Sequence, residues 1–168
     1  RQEYIYTATF DATATPKKIR INKLNTELEN VWDQTGVALT PENDQRNVFL
    51  VDLGGVGVGC FWSESRSFLS GFDIFFQSLN PDGDPQLSSG GITVAESNGD
   101  DYIQAVIPAP DGISFLIFWV EEVWPASRLK YNRVELNGQV STGWPPNGFN
   151  LSNQSIGADN LSVKKISD

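Results

Sequence analysis

The sequence predicts an all-β fold, an antiparallel β-sandwich or jelly roll, and three observations support this prediction. Apolar and polar residues alternate with a period of two in roughly eight to ten short segments. Turn-forming residues separate these segments at intervals of about 8 to 15 residues. Only one stretch, 24–33, has the spacing of a helix. With 168 residues, the chain is long enough to form one domain, 1–168, around a core of its own.

The first part of the chain predicts two strands and a short helix. Residues 2–10 and 17–24 each alternate apolar and polar side chains, as half-buried strands do. Thr26 and Glu29 have the spacing of a capping box, in which two side chains satisfy free backbone N–H groups at the start of a helix. We therefore predict at most one short helix, over 24–33.

Residues 47–62, NVFLVDLGGVGVGCFW, predict the central strand because they begin with an apolar run that suits burial on both faces. Alternation along this strand places Gly55, Gly57 and Gly59 on one face, which leaves bare backbone there. Three explanations fit: large side chains of a neighbouring strand cover the glycines, the strand bends, or a flat ligand lies on them. The spacing does not match the glycine fingerprint of a dinucleotide-binding fold.

The second part of the chain predicts further strands and two hairpins. An Asn-Gly-Asp-Asp turn at 98–101 predicts a hairpin between the strands on either side of it, and Asn137-Gly138 predicts another. The stretch 113–124 is the most apolar of all and is expected in the core. The predicted strands are 67–79, 91–97, 102–110, 113–124, 129–136 and 161–167.

Charge and composition restrict the partners and the compartment. Twelve basic and 21 acidic residues give a net charge of -9, which disfavours binding to nucleic acid or to an anionic membrane surface. No run of 18 apolar residues is present, so we expect no membrane insertion. The chain begins with Arg1 and contains no Met, from which we expect that a leader was removed and that the protein is secreted. Three glycosylation sequons, at Asn150, Asn153 and Asn160, are compatible with that route, although about two would arise by chance.

The absence of His removes several kinds of active site. Ser-His-Asp and Cys-His catalysis are excluded, as are metal sites that contain His. The single Cys60 cannot form an internal disulfide, and its apolar neighbours predict a buried, unreactive thiol.

Carboxylates remain as candidate catalytic groups, since glycoside hydrolysis needs two of them facing one cleft. Glu121 and Glu122 lie at the end of the most apolar stretch. Adjacent residues of a strand point to opposite faces, so these two cannot form the pair together. One of them would need Asp52, Asp73 or Glu135 as its partner.

Asn80, Asp82 and Asp84 alternate in NPDGDP, as oxygen ligands of calcium do in a loop. The EF-hand pattern is not met, because Gly83 lies between the acids and no Glu follows at the required distance. The same residue types are ordinary turn formers, so a solvated turn is the competing explanation. The acids of 98–101 allow the same two explanations.

The five tryptophans fall into two groups. Trp62 and Trp119 lie within apolar strands and are predicted in the core. Trp32, Trp124 and Trp144 lie at strand ends or in loops, where an indole is partly exposed. Sugar rings stack their C–H faces on aromatic rings, while their hydroxyls seek polar side chains. Trp144 is the strongest candidate because the two prolines after it stiffen the loop, although a loop anchor, with the indole folded back onto the sandwich, is the competing and slightly favoured explanation.

The favoured interpretation is a secreted, non-catalytic, lectin-like module that binds carbohydrate or a glycoconjugate through loop aromatics. Structural calcium at Asn80, Asp82 and Asp84 accompanies this prediction. Two alternatives remain open: a structural or adhesive subunit of an extracellular coat or filament, which pairs with copies of itself, and a carboxylate-dependent polysaccharide-degrading enzyme. The candidate ligand-binding residues are Trp144, Trp124, Trp32, Asp33, Tyr131 and Arg133.

Overall fold

Antiparallel β-structure dominates the chain, as the alternating pattern predicts. The computed structural model describes residues 3–11, 13–33, 35–40, 42–67, 71–152 and 163. Across these ranges there are eleven strands in three antiparallel sheets and no helix. Accordingly, no described helix has the length and apolar character needed to cross a membrane.

The three sheets follow the order of the chain. Sheet A contains β1 (Ile5–Asp11), β2 (Lys18–Leu24) and β3 (Val37–Ala38), in that order. Sheet B has the order β4 (Asp44–Asp52), β5 (Val58–Ser67), β6 (Gly71–Leu79) and β7 (Ile92–Ala95). Sheet C has the order β11 (Phe149–Asn150), β10 (Ala126–Glu135), β9 (Ser114–Val123) and β8 (Asp100–Pro108).

Sheet B is the middle layer and is covered on both faces. One face packs on sheet C around a core that includes Phe61, Phe76 and Ile117. The other face packs on sheet A through Ile21 and Trp62, among others. Each such buried side chain contributes about 1.5–3 kcal/mol. This arrangement confirms the predicted β-sandwich and adds sheet A as a third layer, while the jelly-roll alternative is not confirmed.

The predicted central strand 47–62 is a hairpin, formed by β4, a turn at 53–57, and β5. Gly57 has a φ of 137°, and a Cβ there would lie 1.9 Å from the Leu79 carbonyl oxygen, so only glycine fits this turn. Gly59 is in β5 under the ring of Phe76, which would lie 2.9 Å from an added Cβ. The glycine pattern thus combines a turn with an aromatic ring over bare backbone.

The predicted helix over 24–33 is wrong, because a tight turn occupies this segment. The Asn25 Oδ1 atom accepts hydrogen bonds of 2.9 Å from the backbone N–H groups of Glu27 and Glu29. Leu28 has a positive φ of 65°, which no α-helix contains. The Asn25 side chain therefore competes successfully with the capping box that Thr26 and Glu29 suggested.

The predicted hairpin across 98–101 is also wrong, since β7 pairs with β6 and β8 pairs with β9. The turn instead carries the chain from sheet B to sheet C. Asp100 Oδ1 accepts a hydrogen bond of 2.8 Å from the Phe72 backbone N–H, which fixes this corner to β6. Gly99 lies so close to β9 that an added Cβ would be 2.2 Å from the Glu122 carbonyl oxygen.

The remaining strand predictions are confirmed where the structure describes them. The predicted stretch 113–124 contains β9, the predicted stretch 129–136 overlaps β10 up to Glu135, and the two strands form a hairpin. The Asn137-Gly138 turn is present, but it leads to an isolated bridge between Val134 and Val140 and not to a full strand. Cys60 is buried, as are both predicted core tryptophans. The predicted strand 161–167 lies outside the described residues, apart from 163.

One buried carboxylate joins sheet A to sheet B. Glu64 lies on β5 and accepts hydrogen bonds from five side chains, three of them on Oε2 and two on Oε1. The donors are Thr40 (2.5 Å), Gln45 (3.1 Å), Trp62 (2.6 Å), Asn43 (2.8 Å) and Arg66 (2.7 Å). Burial alone would raise the pKa of Glu64, but the hydrogen bonds outweigh it and lower the pKa below its ordinary value.

We expect Glu64→Ala to lower the free energy of unfolding by about 3–5 kcal/mol, because it leaves the buried donors of Thr40, Gln45 and Trp62 without their acceptor. Urea unfolding followed by Trp fluorescence measures this change. Glu122→Ala is the matched control, since Glu122 is exposed on the neighbouring sheet and its loss should change stability by less than about 0.5 kcal/mol. Equal unfolding midpoints for the two variants would contradict the role assigned to Glu64.

Candidate functional site

A groove of about 430 Å³ runs between β7, the last strand in the order of sheet B, and the segment 139–147 that follows β10. It opens at the side of the sandwich, where the end of one sheet faces a loop of the other. Trp144 and Pro146 supply apolar surface in the groove. The polar lining residues are Thr93, Glu96, Gln139, Ser141, Thr142 and Asn147.

Trp144 is held in the groove by two other aromatic rings. Its ring meets Tyr131 edge-on at a centroid distance of 5.8 Å, and Phe149 edge-on at 5.5 Å. Tyr131 in turn stacks on Phe118 at 6.2 Å. Trp144 is half-buried and lines the groove, so this cluster covers it only in part. The structure thus brings together two residues predicted from the sequence, Trp144 and Tyr131, with Phe149, which was not predicted.

The loop that carries Trp144 is fixed by hydrogen bonds. Asn132 is fully buried on β10, and its Nδ2 donates to the Pro145 carbonyl oxygen at 2.9 Å. The Trp144 and Gly148 backbone N–H groups each close a turn at 3.0 Å, onto the carbonyl oxygens of Ser141 and Pro145. A loop with this many internal bonds loses little conformational freedom when a ligand binds.

The groove continues into a smaller polar pocket of about 380 Å³, since Glu96 and Asn147 line both. Ser97, Asn98 and Glu121 complete this pocket. Its lining therefore offers carboxylate, amide and hydroxyl groups, which accept and donate hydrogen bonds.

Glu121 and Glu122 point to opposite faces of β9, as predicted, and Glu121 is buried while Glu122 is exposed. Lys130 Nζ lies 2.9 Å from Glu121, and Arg128 Nη1 lies 3.4 Å from it. The cross-strand neighbour of Glu121 is Asp101.

Three other acids, Asp52, Asp73 and Glu135, were predicted as possible partners of Glu121 or Glu122 in a catalytic pair. Asp52 and Glu135 lie at strand ends beside the β4–β5 turn and the Asn137-Gly138 turn. Asp73 accepts a long hydrogen bond of 3.4 Å from the Ser97 backbone N–H. None of them forms a described contact with Glu121.

Asp101 is a buried acid whose charge is poorly compensated. It is 1% exposed, and its Oδ1 accepts a hydrogen bond of 3.0 Å from Trp119 Nε1. Its Oδ2 is buried without a hydrogen-bond partner among the described residues. Burial, and secondarily the charge of Glu121, raise the pKa of Asp101 to about 7. An acid this inaccessible cannot touch a substrate, so Asp101 does not serve as the catalytic partner of Glu121.

The other predicted ligand-binding residues lie apart from Trp144 or are engaged elsewhere. Arg133 forms an ion pair with Asp111 and donates from Nε to Ser114 Oγ at 2.8 Å. Trp124 lies at the tip of the β9–β10 hairpin and is 93% exposed.

Trp32 and Asp33 lie beside sheet A, away from the Trp144 groove. The ring of Trp32 meets Tyr6 edge-on at a centroid distance of 5.7 Å. Asp33 Oδ1 accepts a hydrogen bond of 2.9 Å from the Thr35 backbone N–H. This bond and a second one from the Thr35 hydroxyl lower the pKa of Asp33.

The predicted calcium ligands form a hydrogen-bonded turn. Asn80 Oδ1 accepts from the backbone N–H groups of Asp82 at 3.0 Å and Asp84 at 2.8 Å. Asn80 Nδ2 donates to Asp84 Oδ2 at 3.1 Å. The described residues contain no group of three or more Cys, Asp or Glu arranged to hold a metal ion. These contacts favour the turn explanation, and calcium binding stays a prediction.

No protein-family model, curated protein or solved structure matches this chain. Its function is therefore inferred from the side chains of the groove.

We expect the protein to lose stability as the pH rises from 5 to 8. The native pKa of Asp101 is about 7 against an ordinary value of 3.8, so the folded protein binds this proton more tightly than the unfolded chain does. The resulting stabilisation is complete below pH 3.8 and is lost as the pH passes 7, a decrease on the order of 3 kcal/mol between pH 5 and 8.

Urea unfolding at several pH values measures this dependence. Asp101→Asn removes the ionisable group and should flatten the profile above pH 6. Burial also raises the pKa of Asp73, to about 6. Asp73 therefore causes a smaller loss of stability at lower pH, and Asp101→Asn should retain that loss. Parallel profiles for the two proteins would contradict the assignment.

Proposed function

We propose that this domain binds carbohydrate without catalysis, in the groove beside β7. The observation that carries the proposal is the setting of Trp144. Its indole is fixed edge-on by Tyr131 and Phe149, and the residue lines a groove that also holds several polar side chains. A rigid aromatic surface beside hydroxyl and amide groups matches a sugar ring, which has apolar C–H faces and a polar rim.

The polar groups of the groove are of the kinds that hydrogen-bond to sugar hydroxyls. Gln139 and Asn147 each carry a donor and an acceptor on one amide, and Thr142 carries a hydroxyl that does both. Glu96 adds an acceptor where the groove meets the polar pocket. The groove volume of about 430 Å³ lies in the range of small-ligand sites, about 300–1,000 Å³.

Binding is favoured over hydrolysis by the state of the nearby acids. Glu121 forms an ion pair with Lys130, and its cross-strand neighbour Asp101 is buried. The proposal includes secretion, for which the exposed side chain of Asn150 in β11 offers a suitable glycosylation acceptor. The other two sequons, at Asn153 and Asn160, lie outside the described residues.

We expect Trp144→Ala to weaken binding of the preferred neutral oligosaccharide at least tenfold, equivalent to about 1.4 kcal/mol, because the stacking surface is lost. A glycan array identifies the ligand, and isothermal titration calorimetry measures its affinity. Trp124→Ala is the matched control, since Trp124 is more exposed but lies outside the groove. A panel in which no glycan binds, or equal affinities for both variants, would refute the proposal.

Self-association is the second candidate function, and the exposure of Trp124 favours it. A large apolar side chain that is 93% exposed at a hairpin tip is a frequent contact in assemblies. For a monomeric sugar-binding module we expect a mass of 18.5 kDa by light scattering at micromolar concentration. A larger mass that returns to 18.5 kDa in Trp124→Ser would support the adhesive alternative instead.

A further inference from the structure

A second, larger groove of about 830 Å³ lies between sheet A and the β4–β5 turn, remote in sequence from the Trp144 groove. Its walls come from β1, β2 and the segment before β1, and its floor from the turn. The lining residues that matter here are Tyr4, Tyr6, Lys23, Thr26, Asp52 and Gly54.

A buried cation lies in the wall of this groove. Lys23 is 5% exposed, and its Nζ donates to the Pro81 carbonyl oxygen at 2.8 Å. The same Nζ lies 3.9 Å from the centroid of the Tyr4 ring. No ion pair joins Lys23 to any carboxylate of the described residues. Lys23 Nζ also lies 6.0 Å from the centroid of the Tyr6 ring. An ammonium has three N–H groups, and among the described residues the Pro81 carbonyl oxygen is its one hydrogen-bond acceptor, so donor capacity remains for a ligand that enters the groove.

Trp32 supports the aromatic side of the groove by packing against Tyr6. Trp32 meets Tyr6 edge-on and donates from Nε1 to the Pro81 carbonyl oxygen at 3.0 Å. One carbonyl oxygen thus holds both Lys23 and Trp32 in place. Tyr4 is 37% exposed, which leaves part of its ring free for stacking.

Acceptors face the same groove. Asp52 is exposed at the end of β4 and lies close to Tyr6. Burial raises the pKa of the Tyr6 hydroxyl most, and the negative charge of Asp52 raises it further. At Gly54 nothing lies within 4 Å of an added Cβ, so the floor beside Asp52 is open backbone. The groove therefore combines stacking rings, a cationic donor and an anionic acceptor around one open space.

We infer that this groove is a second saccharide-binding site, specific for neutral sugars. Sugar hydroxyls both donate and accept, so they satisfy Lys23 and Asp52 together, and the tyrosine rings match a C–H face. Anionic sugars are disfavoured, because Glu3 and Asp52 line the groove and the chain carries a net charge of -9. The inference rests on the proposed function only for the class of ligand, which is carbohydrate. With this second site, each chain would bind two saccharides.

Isothermal titration calorimetry with neutral glucan, mannan and xylan oligosaccharides tests this inference. We expect two sites per chain in the unmodified protein and one in Trp144→Ala. Lys23→Met, which keeps the apolar stem, and Tyr4→Ala, which changes an exposed side chain, should each weaken the remaining site at least tenfold. Phe10→Ala is the matched control, since Phe10 is an exposed aromatic of β1 outside this groove. Thermal unfolding shows whether each variant is folded.

The outcomes separate the two sites. Unchanged affinity in a folded Tyr4→Ala, with binding abolished by Trp144→Ala, overturns the second site alone. One site that is lost in Tyr4→Ala and kept in Trp144→Ala supports the second site and overturns the proposed function. Binding at this groove of polygalacturonate fragments but of no neutral oligosaccharide overturns the specificity for neutral sugars.

Discussion

The hydrogen bonds that converge on Glu64 are the constraint on which the layered structure depends. Gln45 donates to Glu64 from one end of its amide and accepts from the Ile19 backbone N–H at the other, so a single side chain links β2 to β5. Thr40 extends the same network from the segment after β3. Sheet A is short and would be marginal alone, and this polar link holds it against the apolar face of sheet B.

The two grooves follow from the same layering. Sheet B packs on sheet C through one core and on sheet A through another, so each interface ends at a different edge of the molecule. The Trp144 groove opens beside β7, while the groove that contains Lys23 opens beside the β4–β5 turn. A middle layer with two buried faces thus creates two separate openings, each lined by aromatic side chains from the layer that covers it.

The sequence predicts the strands well, since period-two alternation reports burial residue by residue. It fails where one side chain redirects the backbone: Asn25 forms a turn where a capping box predicted a helix, and Asp100 binds β6 where a turn predicted a hairpin. Trp144 and Tyr131 were predicted as candidates, but their contact was not. The buried position of Lys23 was not predicted, because its partner, the Pro81 carbonyl oxygen, is far along the chain and no local sequence pattern indicates such a contact.

The four residues of β7 have a consequence for behaviour at high concentration. An edge strand of a sheet offers unpaired backbone groups, and another chain can add to them as a further strand, which is a route to fibres. Here that strand is short, and the segment 139–147 faces it across the groove. The short length of β7 and the facing segment therefore leave little room for an incoming strand to add at this edge.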